Sequence, residues 1–222
     1  MTASLRAFDP SSLQLVLITD GRGDPVRLER IVEQALAAGV RCVQLRESKW
    51  SARTLLQMCE RLAPQFERHA AWLLVNDRVD VAATGKAHGA QVGHRSLPPE
   101  VARAVLGPDA VLGYSAHDQS ELDLAVAAGC NFALLSPVWP TSSKPGAPHL
   151  GLLRAAQLTT KARLPVVWLG GIDASQLSTL HAIPALARPV GVAVRSAIMD
   201  AADPGEACAA LLAAWRAAIA GG

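Results

Sequence analysis

Short runs of consecutive apolar residues, rich in Val, Leu and Ile, recur along the chain and alternate with segments whose apolar residues return every three or four positions. The runs cover residues 13–19, 41–45, 72–75, 90–92, 111–115, 132–135, 165–169 and 191–194. Runs of this length and composition predict buried strands, and the intervening periodicity predicts amphipathic helices. Leu28, Ile31, Val32, Ala35 and Leu36 share one face of the first helix; Leu55, Met58, Cys59 and Leu62 share one face of the second. Later helices are expected over about 120–128, 150–161, 174–180 and 204–218, while the third and fourth look short. Asp24, Ser51, Asp118 and Asp173 stand where side chains accept from the free N–H groups of a first turn. Gly39 and Gly129 stand where a left-handed residue ends a helix.

Eight strands alternating with helices in 222 residues fit a (β/α)8 TIM barrel near the small end of its range. A doubly wound open sheet fits less well. Its first turn would be Gly-rich in the GxGxxG pattern, which Asp20-Gly21-Arg22-Gly23-Asp24-Pro25 lacks. With no linker or low-complexity stretch, residues 1–222 are expected to form a single domain closed by a C-terminal helix over 199–222.

Composition removes several function classes. The net charge of +2 offers no footprint for nucleic acid or an anionic membrane. No apolar run approaches the ~20 residues of a membrane span, and the first residues lack a signal-peptide pattern, so a cytoplasmic enzyme is expected. Cys42, Cys59, Cys130 and Cys208 are scattered without a CxxC pair and read as reduced, buried side chains.

In a TIM barrel the chemistry lies at the carboxyl ends of the strands. Those ends carry Thr19-Asp20, Gln44 with Arg46-Glu47, Asn76-Asp77, Gln91 with His94, Ser115 with His117, the loop from Ser136 to Lys144, Gly170-Gly171 and Arg195-Ser196. The loop holds three hydroxyls and a lysine behind two stiffening prolines, a set suited to phosphate. Gly170-Gly171 lets backbone approach a ligand at a helix N-terminus, and the loops after strands seven and eight commonly form the phosphate site of this fold. Arg46 and Lys144 are the cations placed for a second anionic group. Asp77 is a candidate ligand for a hard cation or a partner for Arg78 or Arg46, and His117 is a candidate acid/base near neutral pH.

Taken in order, Ile18-Thr19-Asp20, Val43-Gln44-Leu45-Arg46-Glu47, residues 75–80, Gly113-Tyr114-Ser115-Ala116-His117, residues 136–144, Leu169-Gly170-Gly171-Ile172 and residues 194–198 resemble the thiamin-phosphate synthase and TenI family. The likeness runs over about 13–198. It implies a thiamin biosynthesis enzyme that joins a pyrimidine pyrophosphate to a thiazole phosphate and releases pyrophosphate. By resemblance Gln44, Arg46, Asn76 and Lys144 hold the pyrimidine pyrophosphate, Asp77 binds Mg2+, and Ser115 faces the pyrimidine. Thr141 and Ser143 meet the thiazole, whose phosphate lies on Gly170, Gly171 and Ser196. A homo-oligomer is compatible with the resemblance.

Two positions depart from the family pattern. Ser48 stands where a lysine follows the Arg-Glu pair, with Lys49 one residue later, and Ser96 stands where a second Mg2+-binding aspartate is found. Both departures weaken the pyrophosphate end, where Arg95 could offset part of the lost charge. A TenI-like thiazole tautomerase is therefore the alternative, with His117 moving the proton and no metal required. A phosphate-ligand binding protein without turnover is the third.

Overall fold

The computed structural model describes residues 7–141, 146 and 148–220. Its strands are β1 (Leu15–Ile18), β2 (Cys42–Leu45), β3 (Trp72–Asn76), β4 (Gly89–Val92), β5 (Val111–Ala116), β6 (Phe132–Leu135), β7 (Val166–Leu169) and β8 (Gly191–Val194). Each pairs in parallel with its chain neighbour, and β8 pairs with β1, closing the barrel. The helices are α1 (Pro25–Ala37), α2 (Ala52–Arg68), α3 (Val79–Thr84), α4 (Pro99–Leu106), α5 (Gln119–Ala127), α6 (Gly151–Lys161), α7 (Ala174–Ser178), α8 (Ser196–Met199) and α9 (Pro204–Ala220). The long α9 packs against α1 and α7 and so takes the eighth place in the outer ring, while α8 is an additional short helix.

The expected caps are in place. Asp24, Ser51, Asp118 and Asp173 each accept from backbone N–H groups of the first turn. Most boundaries shift from expectation by a residue or two, and three departures change the reading. The first strand starts at Leu15, because Asp9 accepts from the N–H of Ser11 and caps a 3-10 turn over Pro10–Leu13. The helix expected over 174–180 stops at Ser178 and tightens into a 3-10 turn over Thr179–Ala182. The segment after β8 is broken into α8 and α9.

Strand side chains alternate faces, and the alternation makes two cores. Leu15, Leu17, Val43, Leu45, Leu73, Val75, Val192 and Val194 point out against the helices. Val16, Ile18, Cys42, Trp72, Leu74, Phe132, Leu134, Val167 and Ala193 fill the interior. At the amino end of the strands the interior is plugged by Phe8, whose ring lies 5.5 Å from Trp72 and 6.0 Å from Phe132. At the carboxyl end the inward parity turns polar: Gln44, Asn76, Gln91 and Ser115 occupy it. The barrel is therefore sealed at one end and chemically equipped at the other. No helix among the described residues is long and apolar enough to cross a membrane.

Candidate active site

The carboxyl ends of the strands enclose a cavity of about 280 Å³. Ile18, Leu134 and Leu169 give it an apolar floor. Gln44, Arg46, Asn76, Asp77, Ser115, His117, Thr141 and Gly170, all expected at the site, line it. His94, Arg95, Ser96, Ser136 and Arg195 line it as well. Gly171 and Ser196 follow the lining residues Gly170 and Arg195 without lining it themselves. Ser143 and Lys144 lie outside the described residues.

A chain of amides and one carboxylate runs along the wall formed by β2, β3 and the segment after β4. Gln44 Nε2 donates to Asn76 Oδ1 at 2.5 Å, and Asn76 Nδ2 donates to Asp77 Oδ2 at 2.6 Å. The Ser96 hydroxyl donates to Asp77 Oδ1 and accepts from the N–H of Gly93 at 3.0 Å. Asp77 thus pairs with neither Arg46 nor Arg78; the Arg78 guanidinium is held by Asp80, with Nε to Oδ1 at 2.8 Å. Asp77 has φ +60°, in the left-handed region that aspartate tolerates better than most residues. That backbone turn, fixed by its N–H donating to Gln91 O at 2.9 Å, brings the carboxylate beside Asn76.

Deeper in the barrel, Gln91 is buried and its Nε2 donates to Ser115 Oγ at 3.0 Å. Because the serine oxygen accepts from Gln91, its own O–H is left to donate toward the cavity. The Oε1 atoms of both Gln44 and Gln91 are buried without a protein partner among the described residues. A buried unpaired acceptor is costly, and an acceptor at the wall of a cavity is relieved by a ligand donor.

Two strand-end carboxylates turn away. Glu47 is buried, and its oxygens accept from the Thr19 hydroxyl (2.8 Å), Gly21 N–H (3.2 Å) and Gly23 N–H (3.1 Å). Thr19 Oγ1 in turn accepts from the N–H of Arg46 at 2.8 Å, so this knot sets the backbone that presents Arg46. Asp20 is taken by Arg27 at 2.8 Å and Arg22 at 3.3 Å.

His117 has its own carboxylate. Glu121 Oε2 accepts from the His117 backbone N–H at 2.6 Å and lies 3.0 Å from Nδ1. A carboxylate only accepts, so Nδ1 carries the proton and Nε2 is the nitrogen left to exchange one. The His94 ring packs on it edge to face, with centroids 6.1 Å apart. The cysteines play no part: burial pushes the Cys42 thiol up to about 12 and that of Cys130 up to about 11.

Across the barrel the paired glycines serve packing as well as polarity. A Cβ on Gly171, at φ +64°, would meet Pro140 O at 2.2 Å, and one on Gly170 would meet Pro137 at 2.9 Å. The segment after β6 is laid over β7, with Val138 N–H donating to Leu169 O (2.9 Å) and Trp139 N–H to Gly170 O (3.1 Å). The room expected for a ligand on the Cβ side is filled by this segment. Gly170 and Arg195, at the ends of β7 and β8, line the cavity on this side.

The chain as a whole resembles known proteins. The model of the family described as "Thiamine monophosphate synthase" matches residues 15–198. The chain belongs to that family. The thiamine-phosphate synthase of Mycobacterium ulcerans is 39% identical over 220 residues, covering 94% of this chain and 98% of that protein. A Geobacter sulfurreducens protein given the same name provisionally is 42% identical over 202 residues, covering 90% of this chain and 92% of its own. A solved thiamine phosphate pyrophosphorylase from Pyrococcus furiosus superposes with TM-score 0.83 at 28% identity, covering 95% and 98% of the two chains. A 3-hexulose-6-phosphate synthase, at 16% identity and TM-score 0.66, shares the fold alone.

The family's motif order is legible in the sequence because each motif sits at a strand end. The resemblance already puts Ser96 at the second metal-ligand position and Arg95 beside it; the structure adds the Ser96 hydroxyl's bond to Asp77. Arg195 was visible beside Ser196, but only the structure points it into the cavity.

Proposed function

We propose that this chain is a thiamin-phosphate synthase of thiamin biosynthesis, a transferase acting as one barrel domain that joins hydroxymethylpyrimidine pyrophosphate to thiazole phosphate. One observation carries the reading. A single cavity has Arg46 and Asp77 on one wall and Gly170 and Arg195 on the other, with β3 and β7 facing each other across the eight-stranded barrel. Two anionic substrates need two such stations.

The residues fit the requirements of the chemistry. Mg2+ takes one or two carboxylates together with substrate phosphate oxygens. Asp77 supplies one carboxylate and Ser96 a neutral hydroxyl, and no cluster of three His, Cys, Asp or Glu residues occurs among the described residues. This donor set suits an ion carried in on the diphosphate rather than one held by protein alone. Such an ion would neutralise charge on the departing pyrophosphate. Arg46 and Asn76 bind that group from the protein side, and Lys144 is the expected further cation. The orphaned Oε1 of Gln44 accepts from an amino group on the pyrimidine, and Ser115 O–H donates to a ring nitrogen. The apolar floor of Ile18, Leu134 and Leu169 excludes water from the methylene carbon. When its bond to the pyrophosphate oxygen breaks, the electron pair leaves with pyrophosphate. The thiazole nitrogen then forms the new C–N bond. Thr141 and Ser143 hold the thiazole, and Gly170, Gly171, Arg195 and Ser196 hold its phosphate.

The Glu121–His117 pair favours a second reading, a TenI-like tautomerase in which Nε2 of His117 moves a proton on a thiazole carboxylate phosphate. One assay series separates the readings. Pyrophosphate release from the two substrates with Mg2+ is expected, and its absence at every Mg2+ concentration sinks the synthase. Tautomer conversion that disappears in His117→Ala would establish the isomerase instead. Binding of both ligands without either reaction would leave a binding protein.

A further inference from the structure

Arg95 lines the cavity and has no role in the chemistry above. It sits in the turn that follows β4. That turn is closed at both ends: Ser96 N–H donates to Gly93 O at 2.8 Å, and Gly93 N–H donates to Ser96 Oγ at 3.0 Å. His94 and Arg95 form its exposed tip. Its base is pinned to the site, because the Ser96 hydroxyl donates to Asp77. Arg95 is thus one residue from the group that touches the candidate metal ligand.

Three other arginines near the mouth are committed. Arg22 and Arg27 bind Asp20, and Arg78 binds Asp80. The guanidiniums of Arg46 and Arg95 have no hydrogen-bond or ion-pair partner among the described residues. Topology sets the relation between them. Arg46 follows β2, Asp77 follows β3 and Arg95 follows β4, on three adjacent strands. By strand order these two guanidiniums fall on either side of the carboxylate, while Arg195, also unpaired among the described residues, follows β8, across the barrel from β4. Arginine is strong at this task because its planar fork donates two parallel N–H bonds to a phosphate.

We propose that Arg95 is a second guanidinium for the diphosphate, gripping the leaving group from the β4 side while Arg46 grips it from the β2 side. Where Ser96, a neutral hydroxyl beside Asp77, gives a divalent cation one carboxylate fewer, the Arg95 guanidinium would supply positive charge to the diphosphate directly. As the carbon–oxygen bond breaks and its electron pair passes to pyrophosphate, the Arg95 N–H groups donate to the oxygens that gain charge. No proton is transferred. The proposal rests on the synthase reading.

Titration of inorganic pyrophosphate into the full-length protein, in EDTA and then in Mg2+, tests it without turnover. Arg95→Gln is expected to weaken metal-free pyrophosphate binding roughly ten- to hundredfold, the range of a charged hydrogen bond or two. It should leave thiazole phosphate binding within about twofold, and Arg95→Lys should recover part of the loss. In turnover Arg95→Gln should raise the KM for the pyrimidine substrate and the Mg2+ needed for half-maximal rate. Unchanged pyrophosphate binding in Arg95→Gln overturns the proposal, as does an equal loss for both ligands. If the unsubstituted protein binds pyrophosphate through Arg95 but never releases it from the two substrates, the synthase reading falls and the anion site stands.

Discussion

Asp77 holds a left-handed backbone in a position where β-branched or bulky residues would be strained by about 1–2 kcal/mol. Aspartate and asparagine both tolerate that turn, so Asp77→Asn separates charge from geometry. Its melting temperature should stay within about 2 °C, the shift of a sub-kcal change. Pyrophosphate release should fall at least about a hundredfold, the scale of a lost electrostatic group, with Mg2+ no longer raising the rate. Differential scanning fluorimetry and the pyrophosphate assay check the two halves separately. Parity along the strands exposed Gln44, Asn76 and Ser115, because an inward polar residue in an apolar run needs a reason. Arg95 and Ser96 stand out only through the family resemblance, because polarity in a turn carries no information by itself; the hydroxyl's contact with Asp77 and the Gly93 N–H came from the fold.

Helix caps matter at the next scale. The carboxylate of Asp118 is held below the usual range by the Ser120 hydroxyl and by the N–H of Glu121; Asp173 is lowered chiefly by Ser175. A lowered folded-state value means the unfolded chain takes up protons first as pH falls. These caps are therefore fully effective above the unfolded value of about 3.9 and are lost as pH drops below it through the folded value. Asp118→Ala should cost about 1 kcal/mol at pH 7. Asp118→Asn, an equally good cap, should match the parent at pH 7 and lose less on acidification to pH 3. Urea midpoints at the two pH values decide it; an Asn variant as acid-sensitive as the parent would remove the cap from the account. The caps were readable because a short acceptor before an amphipathic period has one obvious use. The start of β1 was not, since Leu13 is as apolar as the strand it precedes and only the Asp9 cap withdraws it. Likewise α8 is too short to show a period of its own.

The whole molecule depends on closure. The eightfold alternation announced a barrel, but the seam had to be seen: Val192 N–H donates to Gln14 O at 3.1 Å, tying β8 to the entry of β1. Gly191 makes the approach feasible, since a Cβ there would meet Leu13 O at 1.7 Å. Gly191→Ala should destabilise by about 2 kcal/mol or more, as overpacking in a close-packed interior does. The loss should appear as a lower urea midpoint, and an unchanged midpoint would mean the seam is looser than drawn. Closure also underlies the opposition of the two proposed anion stations. Sequence order alone cannot say that β3 faces β7; only a closed ring of eight parallel strands makes them opposite.

The segment laid over the glycines has an optical consequence. The Trp139 indole lies 5.8 Å from that of Trp168, inclined at 66°, and its backbone hangs from Gly170, which lines the cavity. A phosphate ester settling on Gly170 would shift the electrostatic surroundings of this indole pair, so the protein's own emission spectrum becomes a gauge of occupancy at the proposed thiazole end. Thiazole phosphate should change the fluorescence saturably, pyrophosphate should change it far less, and Trp139→Phe should silence the response while binding persists by calorimetry. A signal that survives Trp139→Phe would place the responding chromophore elsewhere.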